Sequence, residues 1–124
     1  MQTISTPAAP AAIGPYSQGR ISGGFLFSAG QIPLIPESME MVTGSIEDQA
    51  RRVLQNLDAV LAAGGTSWQR VVKTTVYLTD LADFTAFNAV YGEHLGEAKP
   101  ARSTVQVAAL PKGAKVEIDL IAEV

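Results

Sequence analysis

The spacing of hydrophobic residues along the chain predicts two amphipathic helices. Between residues 46 and 63, apolar side chains recur at helical spacing, which places them on one face of an α-helix. Ser45 is suited to cap the first turn of this helix, and Gly64 and Gly65 are suited to end it. A second helix is predicted to begin near Asp80 and to end at Gly96. Its buried side is expected to contain Leu81, Phe84, Phe87 or Asn88, Tyr91 and Leu95.

Strands are predicted before, between and after these helices. Alternating patterns and β-branched residues indicate strands at 16–21, 25–29, 71–79, 101–110 and 115–124, the first two joined by a turn at 22–24. Prolines make the segment up to residue 15 an extended arm, and residues 34–44 are predicted to form a loop. The order of elements predicts one α+β domain over residues 1–124, with two helices on one face of the sheet.

The opposite face of the predicted sheet carries unusually many polar side chains. Strict alternation assigns Arg102, Glu117 and Asp119 to this face. It also assigns to it three large side chains, Val71, Tyr77 and Ile121. Two interpretations remain open: a solvated sheet face with ordinary surface charges, or a self-associating face that encloses ligand sites between subunits.

Composition and charge exclude several classes of protein. The 124 residues include no cysteine and a single histidine, which excludes thiol nucleophiles and cysteine- or histidine-rich metal sites. The formal net charge is −3 and the basic residues are not clustered, which argues against a nucleic-acid surface. No apolar run is long enough to span a bilayer, and the first residues do not form a secretory signal. We therefore expect a cytoplasmic protein that contacts neither membrane nor nucleic acid.

Several sequence blocks, in order along nearly the whole chain, resemble those of the RidA family, the reactive-intermediate or enamine/imine deaminases. The blocks are AIGPYSQ at 12–18, AGQIP at 29–33, VKTTVYL at 72–78, FTAFN at 84–88, PARSTV at 100–105 and KVEID at 115–119. The resemblance implies a fold like that of the Bacillus chorismate mutase, in which the last strand inserts between its predecessors. It also implies a homotrimer that encloses a central barrel, with ligand sites in the clefts between subunits.

The resemblance implies hydrolysis of 2-enamines and 2-imines, such as those derived from 2-aminoacrylate, to 2-keto acids and ammonia. The ligand would be a small imine, enamine or keto acid, and no cofactor or metal would take part. Arg102 would bind the substrate carboxylate through its guanidinium fork, and Glu117 would hold the attacking water and exchange protons. Four further residues are expected to line the cleft: Tyr16, Gly30, Phe87 and Thr104.

Each of these assignments has a plainer alternative. Arg102 and Glu117 can be surface charges, whereas Phe87 can be a core residue at helical spacing. Thr104 and Ala29 stand where many RidA proteins have cysteine and serine, so substrate preference is less constrained than the core activity. A trimer that senses a small molecule or binds a protein, without catalysis, is the main alternative function. A ribonuclease is disfavoured by the acidic charge.

Overall fold

Six strands form one mixed sheet that is covered on one face by two helices. A computed structural model describes residues 1–124. The strands are β1 Gln2–Ile4, β2 Gly19–Ser22, β3 Phe25–Ser28, β4 Val71–Leu78, β5 Ala101–Gln106 and β6 Val116–Glu123. The helices are α1 Ile46–Ala63 and α2 Phe84–Leu95. The α+β arrangement predicted from the sequence is confirmed.

The last strand lies in the middle of the sheet. The strand order is β1-β2-β3-β6-β4-β5, so β6 separates β3 from β4 and pairs antiparallel with both. Only β4 and β5 are parallel. This is the inserted last strand that the family resemblance implied. Because β6 is central, its alternate residues Val116, Ile118, Leu120 and Ala122 are almost fully buried against the helices.

Local signals explain where the helices begin and end. The Ser45 hydroxyl accepts a hydrogen bond from the Asp48 backbone N–H at 3.1 Å, and α1 ends at Gly64 as predicted. The helix α2 begins at Phe84, later than expected, because Asp80 caps a separate 3₁₀ turn over residues 81–83. Leu81 lies in that turn and is 46% exposed, so the prediction that it is buried was wrong. Neither helix has the length and hydrophobicity of a membrane-spanning segment.

Strand boundaries differ from the predicted ones where pairing partners decide them. The strand β1 was not predicted; it is three residues long and is held by pairing with β2, while Ile4 is buried. The hairpin strand β2 begins only at Gly19, which leaves Tyr16 in the preceding loop. The strand β5 ends at Gln106 instead of residue 110, because its partner β4 ends at Leu78.

A β-bulge at the beginning of β4 exchanges the predicted faces of Val71 and Val72. The register against β6 shifts between Val71 and Lys73. Val71 is consequently buried at 7% exposure, whereas Val72 is 44% exposed on the other side. The assignment of Val71 to the face opposite the helices was therefore wrong. Strict alternation assumes a regular strand, so it could not predict that Val71 and Val72 exchange faces.

Arg102 also lies on the opposite face from the one predicted. It pairs in register with Thr74 of β4, whose hydroxyl contacts the Tyr91 hydroxyl of α2 at 2.8 Å. The Arg102 side chain thus lies on the helix side of the sheet, whereas Glu117 alternates with buried residues and faces away from the helices. A guanidinium fits the helix side here because β5 is an edge strand, where the flank of α2 is open and aromatic.

Candidate functional site

Glu117 lies in the largest cavity of the protomer. This cavity has a volume of about 610 Å³ and lies between the N-terminal arm, the β3–α1 loop and the beginning of β6; we call it the Glu117 cavity. Seven of its fourteen lining residues are hydrophobic. Three of the six residues predicted for the cleft line it jointly: Tyr16, Gly30 and Glu117. The remaining lining residues are Pro10, Ala11, Ile13, Gln18, Ala29, Gln31, Ile32, Leu34, Met39, Pro111 and Lys112.

Gly30 leaves the space that the Glu117 carboxyl group occupies. A Cβ atom built on Gly30 would lie 2.8 Å from Cδ of Glu117 and closer still to Oε2, which is a steric overlap. Gln31, the next residue, exchanges backbone hydrogen bonds with Ile118 of β6 at 2.8 and 3.1 Å, which fixes this segment beside the strand. Gly30 was expected to line the ligand cleft. In the structure it lies against the Glu117 side chain.

The surroundings of Glu117 favour its protonated form. Burial raises the pKa of Glu117 above its usual range, and the nearby Asp119 carboxylate raises it further. No lysine or arginine forms an ion pair with Glu117. Asp119 is itself held by the Tyr77 hydroxyl, which donates a hydrogen bond to it at 3.0 Å. A half-buried carboxyl group with a raised pKa is suited both to accept a proton and to return it.

Arg102 lies in a separate group of side chains, which we call the Arg102 cluster: Phe84, Asn88, Tyr91 and Arg102. The guanidinium carbon is 4.8 Å from the Tyr91 ring centroid and 5.5 Å from that of Phe84, within cation–π range. Arg102 Nη1 donates a 2.7 Å hydrogen bond to Oδ1 of Asn88. No carboxylate pairs with this arginine, so its charge is available to an anion. A cavity of about 350 Å³, also lined by Lys99, adjoins it.

Two other predicted cleft residues lie near the Arg102 cluster, with different outcomes. Thr104 is on the same side of β5 as Arg102, and its hydroxyl is buried without a hydrogen-bond partner. Leaving a buried hydroxyl unpaired costs about 1–3 kcal/mol, which a ligand could offset. Phe87 is fully buried, packs against Tyr91 and lines none of the cavities. It is a core residue, which was the plainer of its two interpretations.

Within one protomer, the Glu117 cavity and the Arg102 cluster are separate. They lie on opposite faces of the sheet, and the two adjoining cavities share no lining residue. The structure therefore brings together Tyr16, Gly30 and Glu117, and separately Arg102 and Thr104. The role of Asn88 as the partner of Arg102 was not predicted. Its position three residues before Tyr91, on the same side of α2, is the signal that could have found it.

Comparison with known proteins places the chain in a family. The profile of the family described as endoribonuclease L-PSP matches residues 6–124. The chain belongs to this family. A RutC family protein of Synechocystis sp. is 53% identical to this chain, and the alignment covers 98% of this chain and 95% of the relative. A human relative, named 2-iminobutanoate/2-iminopropanoate deaminase, is 42% identical over 98% of this chain and 88% of its own length.

Solved structures agree with this membership. RidA from an Antarctic Psychrobacter superposes with a TM-score of 0.95 at 47% identity, covering 100% of both chains. The resemblance to the RidA family is confirmed. In this L-PSP family member, the sequence blocks at 12–18, 29–33 and 115–119 contribute Tyr16, Gly30 and Glu117 to the Glu117 cavity. The blocks at 84–88 and 100–105 build the Arg102 cluster.

Proposed function

We propose that this protein hydrolyses 2-imino and 2-enamino acids to 2-keto acids and ammonia, at sites formed between subunits of a homotrimer. Membership of a family with deaminase-named relatives supports the reaction class. The observation that carries the proposal is the half-buried Glu117 carboxyl group, with its raised pKa, beside a free cavity. A group that both accepts and donates protons near neutral pH is what imine hydrolysis requires.

Glu117 acts as the proton carrier in this reaction. As the carboxylate it takes a proton from water while the water oxygen bonds to C2 of the imine. The resulting carbinolamine has one oxygen and one nitrogen on C2. Protonated Glu117 gives that proton to the nitrogen, which completes the amino group. Glu117 then takes the hydroxyl proton of the carbinolamine and passes it to the same nitrogen, the C–N bond breaks, and ammonia leaves as the C2 carbonyl forms. An enamine first accepts a proton on carbon to become the imine. The balance is one water consumed and one ammonia released.

Arg102 binds the substrate carboxylate. Its guanidinium has no acidic partner in the protomer, and stacking on Tyr91 and Phe84 together with the bond to Asn88 orients the fork before a ligand arrives. Thr104 lies two residues after Arg102 on the same side of β5, and its unpaired hydroxyl is available to a ligand oxygen. These groups meet Glu117 only if a second subunit supplies them.

The sheet face turned away from the helices, here called the open face, supports self-association. It carries Phe25, Phe27 and Val105, each more than a third exposed, beside the Tyr77–Asp119 hydrogen bond. An apolar sheet surface of this kind marks an interaction site in soluble proteins. We propose that, in a closed ring of identical head-to-tail contacts, the Arg102 cluster of one subunit lies beside the Glu117 cavity of the next.

A hydrolysis assay with a matched variant tests the proposal. An amino-acid oxidase generates 2-iminopropanoate from alanine, and keto-acid formation is followed against spontaneous hydrolysis. Glu117→Gln is expected to lower kcat/KM about 10²–10⁴-fold, since it removes the proton carrier. Glu93→Gln, an exposed position on α2 outside the Glu117 cavity and the cavity beside Arg102, is expected to retain activity.

Two results would contradict the proposal. A wild-type protein that binds keto acids but does not exceed the spontaneous rate would be a sensing or interaction protein. A clean preparation that instead cleaves RNA, with cleavage lost in Arg102→Ala, would support the ribonuclease that the family description names.

A further inference from the structure

The N-terminal arm, residues 5–17 between β1 and β2, forms one wall of the Glu117 cavity but has few backbone hydrogen bonds. Four of its residues line the cavity: Pro10, Ala11, Ile13 and Tyr16. Its three prolines have no backbone N–H to donate. The only backbone–backbone hydrogen bond within it joins the Tyr16 N–H to the Gly14 carbonyl at 2.9 Å. Other groups must therefore hold this wall in place.

The side chain of Gln18 holds the arm. Gln18 is only 3% exposed, and its Oε1 accepts a hydrogen bond from the Thr6 N–H at 2.7 Å. Its Nε2 donates toward three backbone carbonyl oxygens, those of Thr6 at 3.0 Å, Ala9 at 3.3 Å and Pro10 at 2.8 Å. Carbonyl oxygens accept and an N–H donates, so only this orientation of the amide fits. Apart from a local bond between Ala8 and Thr6, the arm makes no other side-chain hydrogen bond.

The main chain of Gln18 holds the neighbouring wall of the cavity. Its carbonyl accepts a hydrogen bond from the Ala29 N–H at 2.9 Å. Ala29 and Gly30 both line the cavity, and Gly30 lies against the Glu117 carboxyl group. One residue thus connects the arm to the segment beside Glu117.

We propose that Gln18 is a positioning residue for imine hydrolysis, whose amide fixes the N-terminal arm and so sets the wall that Pro10 and Tyr16 present to the substrate. This inference rests on the proposed function. Gln18 acts through the arm, because both hydrogens of its amide are engaged with arm carbonyls and none is left for a ligand. Release of the arm weakens binding of the ground state and the transition state alike, which raises KM and leaves kcat nearly unchanged.

The variant Gln18→Met tests this role, because methionine has a similar size and no amide. KM for 2-iminopropanoate, generated by an amino-acid oxidase, is expected to rise about tenfold, while kcat changes less than about twofold. Gln18→Glu keeps an acceptor for the Thr6 N–H but turns a second oxygen toward three carbonyls, so it should raise KM at least as much. Val53→Ala, fully buried on α1 and outside every cavity, is the matched control: it should lower Tm and keep the wild-type KM.

Hydrogen exchange measures the contact between Gln18 and the arm independently of catalysis. The Thr6 amide is expected to exchange slowly in the wild type and to lose this protection in Gln18→Met, whereas the amides of α1 stay protected in both. A wild-type Thr6 amide that exchanges as fast as in an unstructured peptide would overturn the inference, whatever the variants do.

The kinetic outcomes separate this inference from the proposed function. A folded Gln18→Met with wild-type KM, or one that loses only kcat, would overturn the role of Gln18 while imine hydrolysis stands. Failure of both Gln18 variants to fold would show that this residue serves the whole fold, and would overturn it as well. If the wild type does not accelerate imine hydrolysis, the proposed function fails and the role of Gln18 in it fails too.

Discussion

The Glu117 cavity and the Arg102 cluster differ in every respect that matters for chemistry. Glu117 is half-buried, has no cationic partner and lies beside another carboxylate, which raises its pKa. The Arg102 guanidinium packs against two aromatic rings, donates a hydrogen bond to Asn88 and has no anionic partner. One region is prepared to move a proton, and the other is prepared to hold a negative charge.

Each region lacks what the other supplies, yet a single chain keeps them on opposite faces of its sheet. Under the proposed function, one chain therefore carries two complementary halves of a site. Assembly of identical subunits in a ring is the simplest way to unite such halves, since every contact then joins one half of each kind. Four predictions follow from this difference between the two regions, beginning with the largest effect.

Removal of the arginine should abolish recognition of the substrate's charge. Arg102→Ala is expected to lower kcat/KM for a 2-imino acid about 100-fold, chiefly through KM, because a charge-assisted hydrogen bond contributes about 1.5–3 kcal/mol. Steady-state kinetics of imine hydrolysis provide the measurement. Arg51→Ala, which removes an exposed arginine on α1, is the control and should behave as wild type. An equal loss with an imine that lacks a carboxylate would argue that Arg102 only maintains the fold.

Disturbance of the carboxyl group without removing it should have a smaller effect. Gly30→Ala puts a methyl group where the Glu117 carboxyl group lies, so the side chain must move while the fold is kept. We expect kcat to fall about tenfold, as when a catalytic group is slightly misplaced. The control is thermal unfolding of Gly30→Ala itself, whose Tm should stay near that of the wild type if only the Glu117 side chain moves. Wild-type kcat in Gly30→Ala would show that the exact position of Glu117 is unimportant.

The pH dependence should report the surroundings of Glu117. Its ionised form starts the reaction, so kcat/KM is expected to fall as pH drops through the raised pKa of Glu117. Asp119→Asn removes the Coulombic effect of the Asp119 carboxylate, so the pKa of Glu117 decreases. The acidic limb of the pH profile, where kcat/KM falls, should therefore move to lower pH. Burial, the larger cause, remains and should keep the limb above that of an ordinary glutamate. A limb that does not move in Asp119→Asn would contradict this assignment.

The smallest expected effect is on stability. Since folding raises the pKa of Glu117, its contribution to stability is fully present below the unfolded pKa and is lost as pH rises through the folded pKa. Glu117→Gln should therefore match the wild type in acid and have a slightly higher Tm at neutral pH. Thermal unfolding at several pH values measures this. A variant less stable than the wild type at neutral pH would show that Glu117 is not an unfavourable charge in the folded protein.

Sequence reasoning succeeded where local signals decide the structure. The boundaries of α1 follow from a serine cap and a glycine pair, and the alternation in β6 follows from burial of one face. It failed where a pairing partner decides: β1 exists only beside β2, and the bulge at Val72 shifts a register. The position of β6 between β3 and β4 came from the family resemblance, because alternation does not specify a neighbour.

The candidate site shows the same division. Of the six residues predicted for one cleft, Tyr16, Gly30 and Glu117 line one cavity, whereas Arg102, Thr104 and Phe87 do not line it. Alternation divides the side chains of β5 into two sets but does not show which set faces the helices. Arg102 was placed on the wrong face because the set with the charged residue was taken to face solvent. Its aliphatic stem and planar head instead pack on the aromatic flank of α2. The contact of Gly30 with Glu117 and that of Asn88 with Arg102 depend on three-dimensional proximity, which no motif specifies.

Subunit mixing tests most directly whether the two halves complete each other between chains. Arg102→Ala and Glu117→Gln, each with kcat/KM lowered about 100-fold or more, are dissociated, combined in equal amounts and reassembled. The mixed assemblies are verified by native mass and assayed at a substrate concentration far below the KM of Arg102→Ala. In a ring with one residue from each neighbour, about a quarter of the sites regain both wild-type groups, so about a quarter of the wild-type activity should return. No recovery in verified mixed assemblies, or a protein that is monomeric and active, would contradict a shared site.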